Sequence, residues 1–253
     1  AIAIVASGNY LSGTIWPPLI QYGIETVGWR QTHMAIGLVC LTCMIPLALL
    51  LRQRPPIDPH DAAPTADPVT GVQTAQPTPF APAVPRPAGI QWILVIAGIA
   101  CCIAMSTPQV HIVAYCGDLG YGAQRGAEML SVMLGLGVIS RICFGVIADR
   151  IGGLGALLVS SALQMVALVF YLPFDGLVSL YVVSGLFGLA QGGIVPSYAL
   201  IVRDYFPASQ AATRISLVLM ATVAGMAIGG WMAGEIYDFT GSYRAAFMNG
   251  IGW

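Results

Sequence analysis

The sequence predicts an all-α, polytopic membrane protein. Of its 253 residues, 57% are hydrophobic and 8% are charged, whereas charged residues make up about a quarter of a typical soluble domain. Because too few polar groups are present to cover a water-exposed surface, we expect lipid to surround the chain. Its apolar runs of about twenty residues fit membrane-spanning helices rather than the short alternating strands of a β-barrel.

Seven apolar segments are long enough to span a bilayer. A helix rises about 1.5 Å per residue, so about 20 residues cross about 30 Å of hydrocarbon. The segments are Ile2–Ile24, Thr32–Leu51, Ile90–Tyr115, Glu128–Ala148, Gly155–Leu172, Leu177–Val202 and Ile215–Ile236. An eighth begins near Tyr243 and stops at Trp253, and the first begins inside an apolar run. We therefore expect the chain to be a fragment of a longer protein.

Residues 53–88 separate the second segment from the third and hold ten of the 17 prolines. Such a segment cannot bury enough apolar surface to offset its ordering entropy. We expect a disordered linker without a binding role between residues 1–52 and residues 89–253.

Arginine placement predicts the orientation of these segments, because positively charged loops stay on the cytoplasmic side. Six loop arginines fall on the side of the linker: Arg52, Arg54, Arg86, Arg150, Arg203 and Arg214. Three fall on the other side: Arg30, Arg125 and Arg244. We therefore predict a multi-pass protein of the plasma (inner) membrane with a cytoplasmic linker.

Several classes of function are excluded by residues that the sequence lacks. The net charge is −1 and there is no lysine, which argues against a nucleic-acid partner. The six cysteines lie mostly in apolar runs without metal-ligand spacing, so we expect no metal or other cofactor. No metalloprotease motif, nucleophile elbow or phosphate loop is present, and we expect no enzyme activity.

Arg141 is the tenth arginine and lies inside the fourth segment. It is about eight residues, or about 12 Å, from the cytoplasmic end of that segment, close to the bilayer midplane. A charge there costs several kcal/mol in lipid, so we expect the side chain to face an interior. Its charge is balanced either by a carboxylate elsewhere in the protein or by an anionic solute. A third interpretation is that it only caps backbone carbonyls of a broken helix.

Other polar residues in the segments are weaker candidates for substrate binding: His111 and Tyr115 on the third, Asn9 and Tyr10 on the first, and Gln191 and Ser197 on the sixth. His111 is the best candidate for a coupling proton, because histidine titrates near neutral pH. For each residue the alternative is a bond between helices.

Glycines repeat at spacings of three and four on the last two complete segments. They are Gly185, Gly188, Gly192, Gly193, Gly225, Gly229, Gly230 and Gly234. These rows predict close helix packing, either static or sliding.

The run Gly145-Val-Ile-Ala-Asp149-Arg150-Ile-Gly152 resembles the G-x-x-x-D-[RK]-x-G signature of the major facilitator superfamily. The resemblance implies a helical-bundle transporter, here truncated to helices five to eleven and the start of twelve. Residues 1–52 would be the last two helices of the N-terminal half, and residues 89–253 the C-terminal half. In that family the Asp and Arg belong to a gating latch, which implies gating roles for Gly145, Asp149, Arg150 and Gly152.

A narrower resemblance involves Leu130-Ser-Val-Met133, Arg141 and Phe144-Gly145. These residues are similar to helix eight of monocarboxylate transporters and oxalate:formate antiporters, where the arginine binds the substrate carboxylate. Animal monocarboxylate transporters carry an aspartate four residues before this arginine, where this chain has Gly137.

The resemblance and the position of Arg141 together predict a secondary active transporter. We expect it to move a small organic anion, and specifically a monocarboxylate, by alternating access as a symporter or antiporter. One alternative is an exporter of neutral or cationic compounds with the same fold. Another is a membrane receptor that transports nothing.

Overall fold

The computed structural model describes residues 2–50 and 87–253, and in those ranges the chain is helical with no strand. The helices are α1 (Ile2–Val27), α2 (Trp29–Leu50), α3 (Pro87–Asp118), α4 (Ala123–Phe170), α5 (Leu177–Gln191), α6 (Ile194–Tyr205), α7 (Ala208–Thr240) and α8 (Tyr243–Gly252). The all-α prediction is confirmed. The predicted linker lies outside the described residues, except for residues 87 and 88, which begin α3.

Five of these stretches are long and apolar enough to cross a membrane: Trp29–Leu50, Gly89–Asp118, Ala123–Phe170, Leu177–Tyr205 and Ser209–Thr240. α4 has 48 residues, is interrupted by non-helical φ and ψ angles at Gly152, and contains two of the predicted segments. The first predicted segment, in α1, is not among the five. Its middle carries Asn9, Ser12 and Thr14, which lower its mean hydropathy.

The described residues form two compact units, residues 2–22 with 87–253, and residues 23–50. In the first unit, α3 pairs mainly with α7, and α4 pairs mainly with α5. The core lies between these pairs and contains the fully buried side chains of Met129, Met133 and Phe187. In the second unit, Gly28 separates α1 from α2 with φ 87°, and the Thr32 hydroxyl donates to its carbonyl at 2.9 Å.

At six of the eight glycines in the predicted rows, a Cβ would come within 3.0 Å of a neighbouring helix. On α7, the position of a Cβ at Gly225 lies 2.5 Å from the Ile99 carbonyl oxygen of α3. On α5, a Cβ at Gly188 would overlap the Met133 carbonyl of α4. The contact partners are backbone atoms, which cannot rotate away, so only glycine fits at this helix separation.

We expect Gly188→Ala to lower the free energy of unfolding by about 1–3 kcal/mol, because the new methyl group separates α4 from α5. Thermal unfolding of the purified protein in detergent measures this change. The matched control is Gly117→Ala on α3, where no atom lies within 4 Å of the Cβ position. Equal unfolding temperatures for the two variants would contradict the close-packing account.

Candidate functional site

Gly152 divides α4 into a first limb, residues 123–151, and a second limb, residues 153–170. Its φ of 79° and ψ of 164° lie in a region that only glycine occupies without strain. The next residue, Gly153, packs against Leu200 and Ile201 of α6. The chain therefore turns at Gly152, and the start of the second limb packs against α6.

The first limb places Arg141 inside the bundle. The side chain is 5% exposed, and its neighbours Ser140 and Phe144 are 2% and 6% exposed. In contrast, Ile139 and Ile142 on the opposite face are about half exposed. Arg141 therefore lies on the inward face of α4 and not on its outer face.

The Arg141 guanidinium contacts the aromatic ring of Tyr10 from α1. The guanidinium carbon lies 3.9 Å from the centroid of the Tyr10 ring, which is the geometry of a cation–π interaction. Tyr10 is 6% exposed, so both groups are shielded from solvent. Such a contact is worth about 2 kcal/mol when it is desolvated.

Gly137 makes room for this ring. It lies one turn before Arg141 on the same face of α4, and a Cβ there would come within 2.5 Å of the Tyr10 ring.

Three further contacts seat α1 on α4 beside the Tyr10 pair. The Ser131 hydroxyl donates a hydrogen bond to the Thr14 carbonyl. Gly13 contacts Leu134, and Gly135 contacts the side chain of Thr14. These contacts fix the register between the two helices about 9–15 Å before Arg141 along α4.

Gln191 lies beside Arg141, at the end of α5, and is completely buried. Gln109 of α3 donates from its Nε2 to the Oε1 of Gln191 at 2.5 Å. The Gln191 Nε2 is buried without a hydrogen-bond partner in the part of the chain that the structure describes. The following residue, Gly192, packs directly against the backbone of Ser140 and Arg141.

His111 and Tyr115 face different helices from Arg141. The Nε2 of His111 lies 2.9 Å from the Gly230 carbonyl oxygen of α7. Because a carbonyl only accepts, this nitrogen must carry the proton. Tyr115 packs against Tyr243 and Phe247 of α8, with both pairs of ring centroids 5.5 Å apart. Both residues therefore contact the α7–α8 side of the bundle, and the geometry of His111 matches the interhelical alternative.

Two predicted groups lie at exposed positions. Asn9 is exposed on α1 next to Tyr10. At the end of the first limb that leads to Gly152, Asp149 and Arg150 are exposed and Gly145 is half-buried. Within the described ranges the one salt bridge joins Arg125 to Glu128, so neither Asp149 nor Arg150 forms an ion pair there.

Sequence reasoning placed Tyr10 among the weaker candidates and did not connect it with Arg141. Two signals were available: an aromatic residue at mid-segment, and a glycine one turn before a buried arginine. Neither signal identifies the other helix, because hydrophobic periodicity does not show which helices are neighbours.

Residues 1–184 match the model of the Major Facilitator Superfamily. The chain belongs to this superfamily. The resemblance inferred from the motif at Gly145–Gly152 is therefore confirmed. The protein is a multi-pass membrane protein, and membership of this superfamily supports a role in transport rather than in enzyme catalysis.

Similar proteins include members named for carboxylate transport. Monocarboxylate transporter 13 of Bos taurus is 25% identical over 250 residues, which cover 98% of this chain and 55% of that protein. Monocarboxylate transporter 12 of Xenopus laevis is 24% identical over 270 residues, covering 98% and 57%. An MFS-type transporter of Gibberella moniliformis is 25% identical over 236 residues, covering 91% and 53%. The chain spans about half the length of these relatives.

We expect Gly152→Ala to destabilise the protein by about 1–3 kcal/mol, because alanine is strained at this φ and ψ. The measurement is the unfolding temperature in detergent. Asp149→Ala in the same turn is the control and should change the free energy by less than about 0.5 kcal/mol, since its side chain is exposed. An unchanged unfolding temperature for Gly152→Ala would show that the turn does not require glycine.

Proposed function

We propose that the protein of which this chain is part transports a small organic monocarboxylate by alternating access. Arg141 binds the carboxylate in this proposal. The observation that carries it is a guanidinium buried in the bundle on the inward face of α4. The similarity to proteins named monocarboxylate transporters supports the same substrate class.

A buried guanidinium favours an anionic, planar partner. Its N–H groups lie in one plane and match both oxygens of a carboxylate, which a lysine ammonium cannot do. Charge-assisted hydrogen bonds of this kind are about twice as strong as neutral ones. The neighbouring amide of Gln191 has an unused donor at the same level of α4, which suits a second polar group on the substrate.

The remaining site residues have subsidiary roles in the proposal. Asn9 lines the approach to Tyr10 and Arg141. The turn with Gly145, Asp149, Arg150 and Gly152 forms the cytoplasmic gate, because it joins the limb that carries Arg141 to the next span. In this proposal the linker is cytoplasmic, in line with the excess of loop arginines on its side of the membrane, and the protein lies in the plasma membrane.

An exporter of neutral or cationic compounds is the second candidate. A similar protein of Paecilomyces divaricatus, 25% identical over 195 residues, is named an efflux protein and favours this candidate. In that case Arg141 would pair with a carboxylate of the protein. A receptor without transport would bind solute without exchanging it across the membrane.

We expect Arg141→Gln to abolish exchange of labelled acetate, lactate, pyruvate and benzoate in proteoliposomes that contain the whole protein. Loss of a buried charged hydrogen-bond partner costs about 2–5 kcal/mol, which is about 30-fold or more in affinity. Arg141→Lys keeps the charge and should recover only part of the exchange.

The control for this experiment is Arg125→Gln, which removes an exposed arginine from the same helix. It should retain wild-type exchange. Unchanged carboxylate exchange by Arg141→Gln would refute the substrate assignment. Export of cations by the wild-type protein, with no carboxylate exchange, would favour the second candidate.

A coupling proton is a further part of the proposal, with His111 as its carrier. His111→Gln keeps a donor for the Gly230 carbonyl but cannot titrate between pH 5 and 8. We expect this variant to lose accumulation driven by a proton gradient while it retains exchange at equal pH on both sides. Retained accumulation would indicate that His111 only forms a hydrogen bond between α3 and α7.

A further inference from the structure

We propose that Tyr10 is a positioning residue for Arg141, which holds the guanidinium in one plane so that its N–H edge faces the carboxylate. This inference rests on the proposed function of Arg141. In this inference α1 affects the affinity for substrate through Arg141, without any contact between Tyr10 and the substrate.

The first step is the fixed position of the ring. Thr14, one turn after Tyr10, accepts the Ser131 hydroxyl at its backbone carbonyl, and its side chain packs against Gly135. Gly137 receives the edge of the ring, 2.5 Å from the place where a Cβ would be. The ring therefore lies between the bare backbone of α4 and the guanidinium.

The second step is the orientation of the guanidinium. Arginine has a long side chain that loses rotamer entropy when it is ordered. A guanidinium whose carbon lies 3.9 Å from a ring centroid can use its face for the ring and its edge for hydrogen bonds. The aromatic contact and the bidentate carboxylate contact use different surfaces of the same group, so one does not exclude the other.

The third step is the role of Gly137. A methyl group there would overlap the Tyr10 ring and displace it from the guanidinium. Gly137 and Tyr10 therefore act on Arg141 as one unit. Variants of the two residues should affect substrate affinity through the same contact and should not be additive.

The test measures half-saturation concentrations for exchange of acetate, lactate, pyruvate and benzoate by the whole protein in proteoliposomes. Tyr10→Leu should raise the half-saturation concentration about tenfold, because a guanidinium that is no longer held by the ring must be ordered when the carboxylate binds. Tyr10→Phe keeps the ring but removes the hydroxyl group, which also contacts Arg141, and should raise the half-saturation concentration much less than Tyr10→Leu. Gly137→Ala should resemble Tyr10→Leu, and the double variant should be no worse than Tyr10→Leu alone.

Two matched variants control for the substitutions themselves. Tyr22→Leu changes a tyrosine that is 65% exposed on the same helix, and Gly8→Ala adds a methyl group where no atom lies within 4 Å. Both should leave the half-saturation concentration unchanged. If Tyr10→Leu does not accumulate in membranes, Gly137→Ala tests the same contact with the ring still present.

If Arg141→Gln abolishes exchange, the proposed function stands and three results would overturn only the role of Tyr10. They are a wild-type half-saturation concentration in Tyr10→Leu, an increase in Tyr10→Phe as large as that in Tyr10→Leu, and additive increases in the double variant. The second result would assign the role to the hydroxyl group instead of the ring. No carboxylate exchange by the wild-type protein would overturn the proposed function and this inference with it.

Discussion

The burial of one positive charge among apolar helices is the constraint on which the site depends. Placing an arginine at the centre of a membrane helix costs about 2.5–3.5 kcal/mol on insertion scales. In this bundle Arg141 turns to the inward face of α4, where the Tyr10 ring covers one face of the guanidinium. The cost is tolerated because the interior supplies polar and aromatic partners that lipid does not.

The helix packing serves this arrangement. Glycines on α5 bring its backbone against α4 at Met133 and at Ser140–Arg141, and glycines on α7 do the same for α3. Such close contacts leave α4 little freedom to rotate about its axis, so the depth and direction of Arg141 are fixed by backbone packing. The single break in α4, at Gly152, lies outside this packed stretch and lets the chain return as a second span.

Much of this could be predicted from the sequence. Segment length and hydropathy predicted each of the five described stretches that could cross a membrane, but also a first segment in α1 that is not among them. Small-residue spacing predicted the faces of α5 and α7 that pack, and the isolated charge predicted an inward-facing Arg141. The partner of each polar residue was not predictable. His111 and Tyr115 share the third segment with Gln109, yet the first two face α7 and α8 and the last bonds to α5. These directions follow from how neighbouring helices are arranged, which a period of 3.6 residues does not encode. Tyr10 was underrated for the same reason.

The most direct measurement of the central claim is the position of a heavy-atom carboxylate in an experimental structure of the whole protein. Crystals soaked with 4-bromobenzoate would show an anomalous bromine peak. We expect the carboxylate of the bound molecule to lie in the plane of the Arg141 guanidinium, with no second cation facing it. A peak at a different site, with Arg141 joined instead to a carboxylate of the protein, would contradict the account.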